Sequence, residues 1–475
     1  MKKAKIAIIG LGHYIYFNQF EGLREELMQK SEQFKSYLDS ELCDVVDLGY
    51  ADCVDTSFEA VKRLKKEDAD LLFIILSTYV PSAVCAPFAR YIDIPQILVG
   101  IQPLDHLDYS HTTTYMQLCN DDVCAMPEIA GVYERLGKTI PSCIVASSSQ
   151  NNKIKKQVRE WILAASAMSA FKYETFGYLG HTYEGMYDMH TDPTAFTSAF
   201  GSHVKMLEMC ELSRLSDAVT DEEIAEQIRE ITDTFEICDP SVDPLTDFVK
   251  EDDLAYSARQ SVALKKLVAD NKLTALAYYY KSEPGNPYEQ LAANLIIGNT
   301  LLTSSGIPLA GEADLKTAAA MLIMKNIGGG GSFAEIHPFD TSDDVVLIGH
   351  DGPHNIAIAE GKPRLRKLKK YHGKSGSGIG VEFSLKAGPI TMLSINVDRG
   401  GKFRMIAAEG TSIAGDIPQT GNTNTRVSFG GDVCDFLSRW SEAGPTHHLA
   451  LGVGHHMDTL RKFAKISGIE LIEVK

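Results

Sequence analysis

The chain has 475 residues, 44% of them hydrophobic and 23% charged, a balance that fits a globular protein of two or three domains and excludes a low-complexity or fibrous one. Its 46 basic and 63 acidic residues leave a net charge of −17, and no basic block offsets this, so nucleic-acid binding has no electrostatic support. No apolar stretch approaches a membrane span, the basic tip of "MKKAKIAIIG" runs into a short strand-like run rather than a signal peptide, and the nine cysteines are scattered without a CxxC. These features predict a cytoplasmic protein with free thiols and no membrane partner.

The first 150 or so residues alternate two signals. Short apolar runs stand at residues 5–10, 44–49, 70–76, 96–101 and 142–147. Between them lie helical patterns such as "SFEAVKRLKKE" at 57–67. Continuous apolar strands interleaved with helices predict a buried parallel sheet wound on both faces. Ligand contacts in such sheets come from loops after the strands, here "GLGHYIYF", "LSTYVPSA" and the segment 101–118. Gly10 and Gly12 start a dinucleotide-type glycine pattern, but its third glycine is missing.

A long helix is predicted over 151–172. A second α/β unit then opens with "ETFGYLGHTYEGMYD" at 174–188, read as a strand and a loop carrying Tyr183. Thr220 with Glu223 forms a capping box before the helix over 219–231. An amphipathic helix over 253–271, a strand over 273–280 and a helix over 287–306 follow. Past residue 340 the pattern turns to alternating strands between glycine-rich turns, as in "GVEFSLKAGPITMLSINVDRGGKFRMIAAEG". That predicts an antiparallel, barrel-like or sandwich region closed by a helix and a last strand. The fold class is therefore α/β: two doubly wound α/β domains, 1–170 and 171–330, followed by a mainly antiparallel β domain, 331–475.

The chemistry concentrates in "IPLAGEADLKTAAAMLIMKNIGGGGSFAEIHPFD", residues 307–340. Glu312 stands at the mouth of a helix, where an acid is favoured by the dipole whether or not it does anything else. Four glycines, Gly328 to Gly331, then turn the chain toward Glu335, which lies among Phe333, Ala334 and Ile336. His350 ends the strand "DVVLIGH", and His447 and His448 begin "HHLALGVG". Two acids with strand-end histidines form a mixed carboxylate–imidazole set suited to Mn²⁺, Fe²⁺ or Co²⁺ rather than to a closed structural zinc.

"AGEADLKTAAAMLIMK", "GGGGSFAEIHPFD", "VVLIGHDGPHNIAIAEGKP" and "GPTHHLALGVGHHMDTLRKFAKISGIEL" resemble the L-arabinose isomerase family, within the wider L-fucose/L-arabinose isomerase group. The resemblance is strong in the last third of the chain and looser but collinear in the first. It implies two α/β domains and a mainly β one, a divalent metal (Mn²⁺, or Co²⁺, Fe²⁺ or Mg²⁺), and sites built between subunits of a trimer or hexamer. Carried over, it makes Glu312 and Glu335 catalytic and makes Glu312, Glu335, His350 and His448 the metal ligands. His13, Tyr79, Cys124, Tyr183 and His337 become the candidate substrate-binding residues.

Departures surround that core. Ile336 and His337 replace an acid and an aromatic, Cys124 stands near a sugar-binding histidine of the family, and His13 near a substrate-facing glutamine. The implied activity is a metal-dependent aldose–ketose isomerase acting on a small sugar through a cis-enediol. The alternatives are a metal-dependent epimerase or lyase for a related sugar or sugar acid, and a non-catalytic sugar-binding protein.

Overall fold

A computed structural model describes residues 1–279, 281, 283, 285–369 and 378–475. By backbone contacts they form two compact units, Lys2–Ser169 and Ala170–Lys475, Met1 grouping with the second.

The first unit is a five-stranded parallel sheet. Its strands are β1 (Ala4–Leu11), β2 (Cys43–Ala51), β3 (Leu71–Leu76), β4 (Gln96–Gln102) and β5 (Ser142–Ser147), in the order β2-β1-β3-β4-β5. Every residue of β3 is buried, as expected of a central strand covered on both faces. The order reverses between β1 and β3, so the loops after these two strands flank the crevice where such sheets hold ligands.

The second unit carries a four-stranded parallel sheet. Its strands are β6 (Thr175–Leu179), β7 (His203–Leu207), β8 (Leu273–Tyr278) and β9 (Leu309–Ala310), ordered β9-β8-β6-β7. The predicted strand over 273–280 ends at Tyr278; residue 280 lies outside the described residues. The capping box at Thr220 is formed, Thr220 Oγ1 accepting from Glu223 N–H at 3.3 Å and Glu223 Oε2 accepting from Thr220 N–H at 3.0 Å. The helix predicted over 287–306 is two helices, Glu289–Ala293 and Ile296–Ser304. Asn294 parts them, its amide donating to Gln290 O at 2.8 Å and its oxygen accepting from Ser257 Oγ at 3.0 Å. A side chain that bonds both the carbonyl four residues back and the distant Ser257 competes with the regular ladder there.

The expected β region is a curled, mainly antiparallel sheet. It contains β10 (Ser332–Asp340), β11 (Val345–His350), β12 (Gly388–Val397), β13 (Phe403–Ile413), β14 (Thr423–Ser428), β15 (His448–Val453) and β16 (Glu470–Glu473). Their order is β12-β15-β10-β11-β14-β13-β16, and β12 also pairs with β13. Between this sheet and the parallel one runs the helix Leu315–Asn326, packed on β8, β12 and β15. Eleven of its twelve residues are buried, which explains why its sequence places apolar residues all round rather than along one stripe. Each fully buried aliphatic side chain contributes roughly 1.5–3 kcal/mol, so the start of this helix is firmly anchored. Among the described residues no helix is long and apolar enough to cross a membrane, and all nine cysteines are unbridged.

Candidate carboxylate–imidazole site

Glu312 does not sit in the first turn of the helix, as its sequence position suggested. It lies in a tight turn, Gly311–Ala313, just before it, with φ 58° and ψ 16°. Ala313 follows at φ 55°. Left-handed backbone costs a residue with a Cβ roughly 1–2 kcal/mol, and such strain persists where packing over-determines it, most often at functional sites. Here Glu312 O accepts from Tyr183 N–H at 3.2 Å, and Asp314 N–H closes the turn on Gly311 O at 3.1 Å. The strain projects the Glu312 carboxylate away from the helix that an ordinary cap would serve.

Asp314 is the actual cap. Its Oδ1 accepts from Lys316 N–H and Thr317 N–H, both at 3.1 Å. Its Oδ2 accepts from Thr317 Oγ1 at 2.8 Å and from His448 Nδ1 at 3.2 Å. A carboxylate only accepts, so the His448 proton is on Nδ1 and the lone pair on Nε2. Nε2 lies 3.6 Å from Glu312 Oε2.

At the other end of the helix the glycine run reverses the chain. Gly328, Gly330 and Gly331 have φ of 97°, 82° and 76°, a sequence of left-handed residues that glycine adopts without penalty. The chain then enters β10 between β15 and β11, pairing Glu335 with His448 on one side and Gly349 on the other. Register thus gathers Glu335, His350 and the two histidines at the start of β15. Phe333 packs against both buried rings, 4.6 Å from His350 and 4.4 Å from His448 between centroids.

Glu335 is half-buried and held by two imidazoles: His337 Nε2 at 3.1 Å from Oε1 and His447 Nε2 at 2.6 Å from Oε2. His337 Nδ1 lies 2.5 Å from Asn424 Oδ1. With an acceptor at each nitrogen, His337 is suited to be imidazolium. Burial pushes its pKa down, but Glu335 and Asn424 outweigh that and raise it; the hydrogen bond to Glu335 raises that of His447. Burial alone would raise the Glu335 carboxyl as well, yet the bonds from His337 and His447 and the nearby His350 hold it well below the usual carboxylate range. Glu312 is pushed the other way, by burial first and then by Glu335 and Asp351, against His448 and His447. Two neighbouring carboxyls thus have opposite proton affinities.

The set fits a cation. Among the described residues, ligand atoms of Glu312, His350 and His448 lie within 4.8 Å of one another, as do those of Glu335, His447 and His448. Glu312 Oε2 and His448 Nε2 are buried with no hydrogen-bond partner, an expense that a bound ion would remove. Glu312 Oε2 and His448 Nε2 have the freer lone pairs, because Glu335 is already occupied by two N–H donors.

All four residues expected to hold metal are therefore brought together. Tyr183 adjoins Glu312 through its backbone, and His337 bridges Glu335 to Asn424. Glu335, His337 and Asn424 also line a cleft of about 740 Å³ with Asn422, Thr420 and Gln419. His13, Tyr79 and Cys124 belong to the first unit. There the His13 ring lies 6.3 Å from that of Tyr79, Tyr79 OH donates to Glu128 Oε2 at 3.1 Å, and Cys124 is exposed with its thiol pushed up by burial, Asp121 and Glu128. The sequence reading missed the roles of Asp314, His447 and Asn424. An Asp followed three residues on by Thr at a helix start was a signal for the first; nothing local marked Asn424.

Fold and site define an α/β protein with a carboxylate–imidazole centre, built where a helix start meets an antiparallel sheet. Family models agree on what that is: the L-arabinose isomerase central domain matches residues 188–330 and the L-arabinose isomerase C-terminal domain residues 330–470. The chain belongs to the L-arabinose isomerase family. It is similar to L-arabinose isomerase 1 of Bacillus licheniformis, 24% identical over 94% of this chain and 90% of the relative. The L-arabinose isomerase of Shewanella baltica is 26% identical over 69% of this chain and 65% of its own length. That of Cellvibrio japonicus is 23% identical over 85% and 80%.

Proposed function

We propose that the protein is a metal-dependent aldose–ketose isomerase acting on an open-chain sugar, with Glu312 and Glu335 as its catalytic carboxyls. The observation that carries this is the pair of buried ligand atoms without a hydrogen bond, Glu312 Oε2 and His448 Nε2, 3.6 Å apart, with His350 beside them. Glu312, His350, His448 and Glu335 would hold a divalent ion, Mn²⁺ in the first instance. When bound, the ion supplies Lewis-acid stabilisation of negative charge on the sugar oxygens.

The chain's own groups divide the remaining work. Interconversion of aldose and ketose through a cis-enediol moves one proton between C1 and C2. Glu335, held by His337 and His447, stands as a fixed carboxylate beside the reacting carbons. Glu312 and Glu335 between them take up and return the carbon-bound proton. His447 and His337 commit their Nε2 groups to Glu335 and so hold that carboxylate in place beside the sugar. The cleft beside Glu335 and His337 gives the rest of the sugar room. His337, which lines it, and its neighbour Ile336 depart from the family pattern, which favours a substrate other than L-arabinose. Cytoplasmic location and a homo-oligomer in which His13, Tyr79 and Cys124 meet a neighbour's sugar complete the reading, in line with family resemblance.

The test is ketose formation over a panel of L- and D-aldoses with Mn²⁺ and with EDTA, beside Glu335→Gln. Turnover that requires both metal and Glu335 supports the reading. Binding of Mn²⁺ with no ketose from any sugar refutes the isomerase, and product analysis in D₂O then distinguishes epimerisation from elimination.

A further inference from the structure

Glu335, Gly349 and Asn424 stand in one row across three strands: Glu335 of β10 pairs with Gly349 of β11, and Gly349 pairs with Asn424 of β14. Directly opposite residues of antiparallel strands share a face, and roughly 10 Å separates the backbones at the two ends of such a row. The glycine leaves its middle without a side chain, and the ring of His337 bridges the ends. Nε2 lies 3.1 Å from Glu335 Oε1, and Nδ1 lies 2.5 Å from Asn424 Oδ1. The backbone aims the ring there. β10 runs from Ile336 to Phe339 while β11 runs from Ile348 to Val346, so β10 bulges by one residue at His337 and Pro338. Bulges redirect side chains, and Pro338 suits one because it has no N–H to leave unpaired. On β14, Asn424 is buried and doubly held: its Nδ2 donates to Asn422 O at 3.4 Å, and its backbone oxygen accepts from Ser384 Oγ at 2.7 Å. The first of these bonds turns the amide so that Oδ1 faces the imidazole.

We propose that His337 and Asn424 are positioning residues: Asn424 fixes the ring of His337, and the ring fixes the Glu335 carboxylate toward the ion. The inference rests on the metal-site reading above. The second donor to Glu335 provides the contrast. His447 is anchored by its own backbone, whose N–H donates to Asp188 Oδ2 at 2.7 Å, while its Nε2 lies 2.6 Å from Glu335 Oε2. His337 stands in a bulge, where the strand ladder is interrupted, and it is the far nitrogen of its ring that is tied down. Filling space does not account for a ring whose two nitrogens both bond side chains. Each carboxylate oxygen has two lone pairs, so with one imidazole on each oxygen Glu335 keeps a fixed lone pair on each for a cation. Outer partners that orient ligand side chains in this way raise metal affinity about 10- to 100-fold.

The experiment is a double-mutant cycle on the full chain, with Mn²⁺ affinity read from the electron paramagnetic resonance of the free ion and each fold checked by a thermal melt in EDTA. His337→Phe is expected to bind Mn²⁺ about 10- to 100-fold more weakly than wild type. Asn424→Leu is expected to weaken binding at least about threefold on its own, and to change it by less than about twofold once His337→Phe is present. Asn424→Asp, which keeps an acceptor for Nδ1, is expected to bind no more weakly than wild type. A folded His337→Phe with wild-type affinity overturns the proposal. So does an Asn424→Leu effect that is the same in both backgrounds, the result of a residue that only packs. If Asn424→Leu does not fold, Asn424→Asp decides, and binding weaker than wild type overturns the proposal. Wild-type protein that binds no Mn²⁺ refutes the metal site and this proposal with it, an outcome distinct from all of these.

Discussion

Replacing Asp314 by asparagine tests the link between the helix cap and the metal site. Asn caps helices about as well as Asp, so the bonds from Lys316 N–H and Thr317 N–H, each 3.1 Å to Oδ1, survive with the amide oxygen in that place. The amide nitrogen then replaces Oδ2, which now accepts from Thr317 Oγ1 and His448 Nδ1. A donor facing Nδ1 favours the His448 tautomer with its proton on Nε2, the atom needed for the ion. Restoring the binding tautomer sets two N–H groups against each other in a site where His448 is 0% exposed. The loss is that of one buried hydrogen bond, about 1–3 kcal/mol, or roughly a 5- to 140-fold loss of Mn²⁺ affinity at 1.4 kcal/mol per decade. Flipping the amide avoids this clash only by giving up the cap. Mn²⁺ titration measures the loss, and a melt in EDTA checks the fold. Asp314→Asn with Mn²⁺ affinity within about threefold of wild type would show that Asp314 does not orient His448.

Two further outcomes follow from the same geometry. The raised pKa of His337 makes its contribution to stability complete below its ordinary 6.5 and lost as pH rises through the folded value. The depressed pKa of Glu335 makes its contribution present above 4.5 and lost as pH falls. Metal-free protein should therefore gain most from this pair between about pH 4.5 and 6.5, with melting temperature declining above that window and Glu335→Gln flattening the profile; a wild-type melting temperature constant from pH 5 to 9 contradicts the assignment. Gly349→Ala places a Cβ 1.8 Å from Thr423 O across the β11–β14 pairing. Overpacking of that kind costs typically about 1–3 kcal/mol, so thermal melts should show clear destabilisation along with weaker Mn²⁺ binding, and an unchanged melting temperature would mean that the strand register beside His350 is wrong.

Much of the architecture was legible because it depends on local periodicity. The five apolar runs of the first unit are β1 to β5, the run 142–147 without any shift and the others with boundaries within two residues. The alternation after residue 340 is the antiparallel sheet, and Thr220 with Glu223 is a formed capping box. The helix over 287–306 was misread as continuous because Asn294 answers to Ser257, 37 positions earlier in the chain. Glu312 was misplaced for a similar reason. Helix-start chemistry was evident, but which of two acids caps the helix depends on a left-handed turn held by the Tyr183 loop.

The sequence by itself determined which residue types the site has to work with: two glutamates, a strand-end histidine and a histidine pair, separated by a glycine run that must turn. Only the tertiary structure decided how they divide the work. Glu335 and Glu312 are the same side chain, yet His337 and His447 lower one proton affinity while burial raises the other. Partners such as Asn424 and Asp188 lie 87 and 259 positions away from the histidines they hold. Hydrogen bonding and desolvation act through space, over a few ångströms, and strand register and helix packing, not separation along the chain, set which groups come that close.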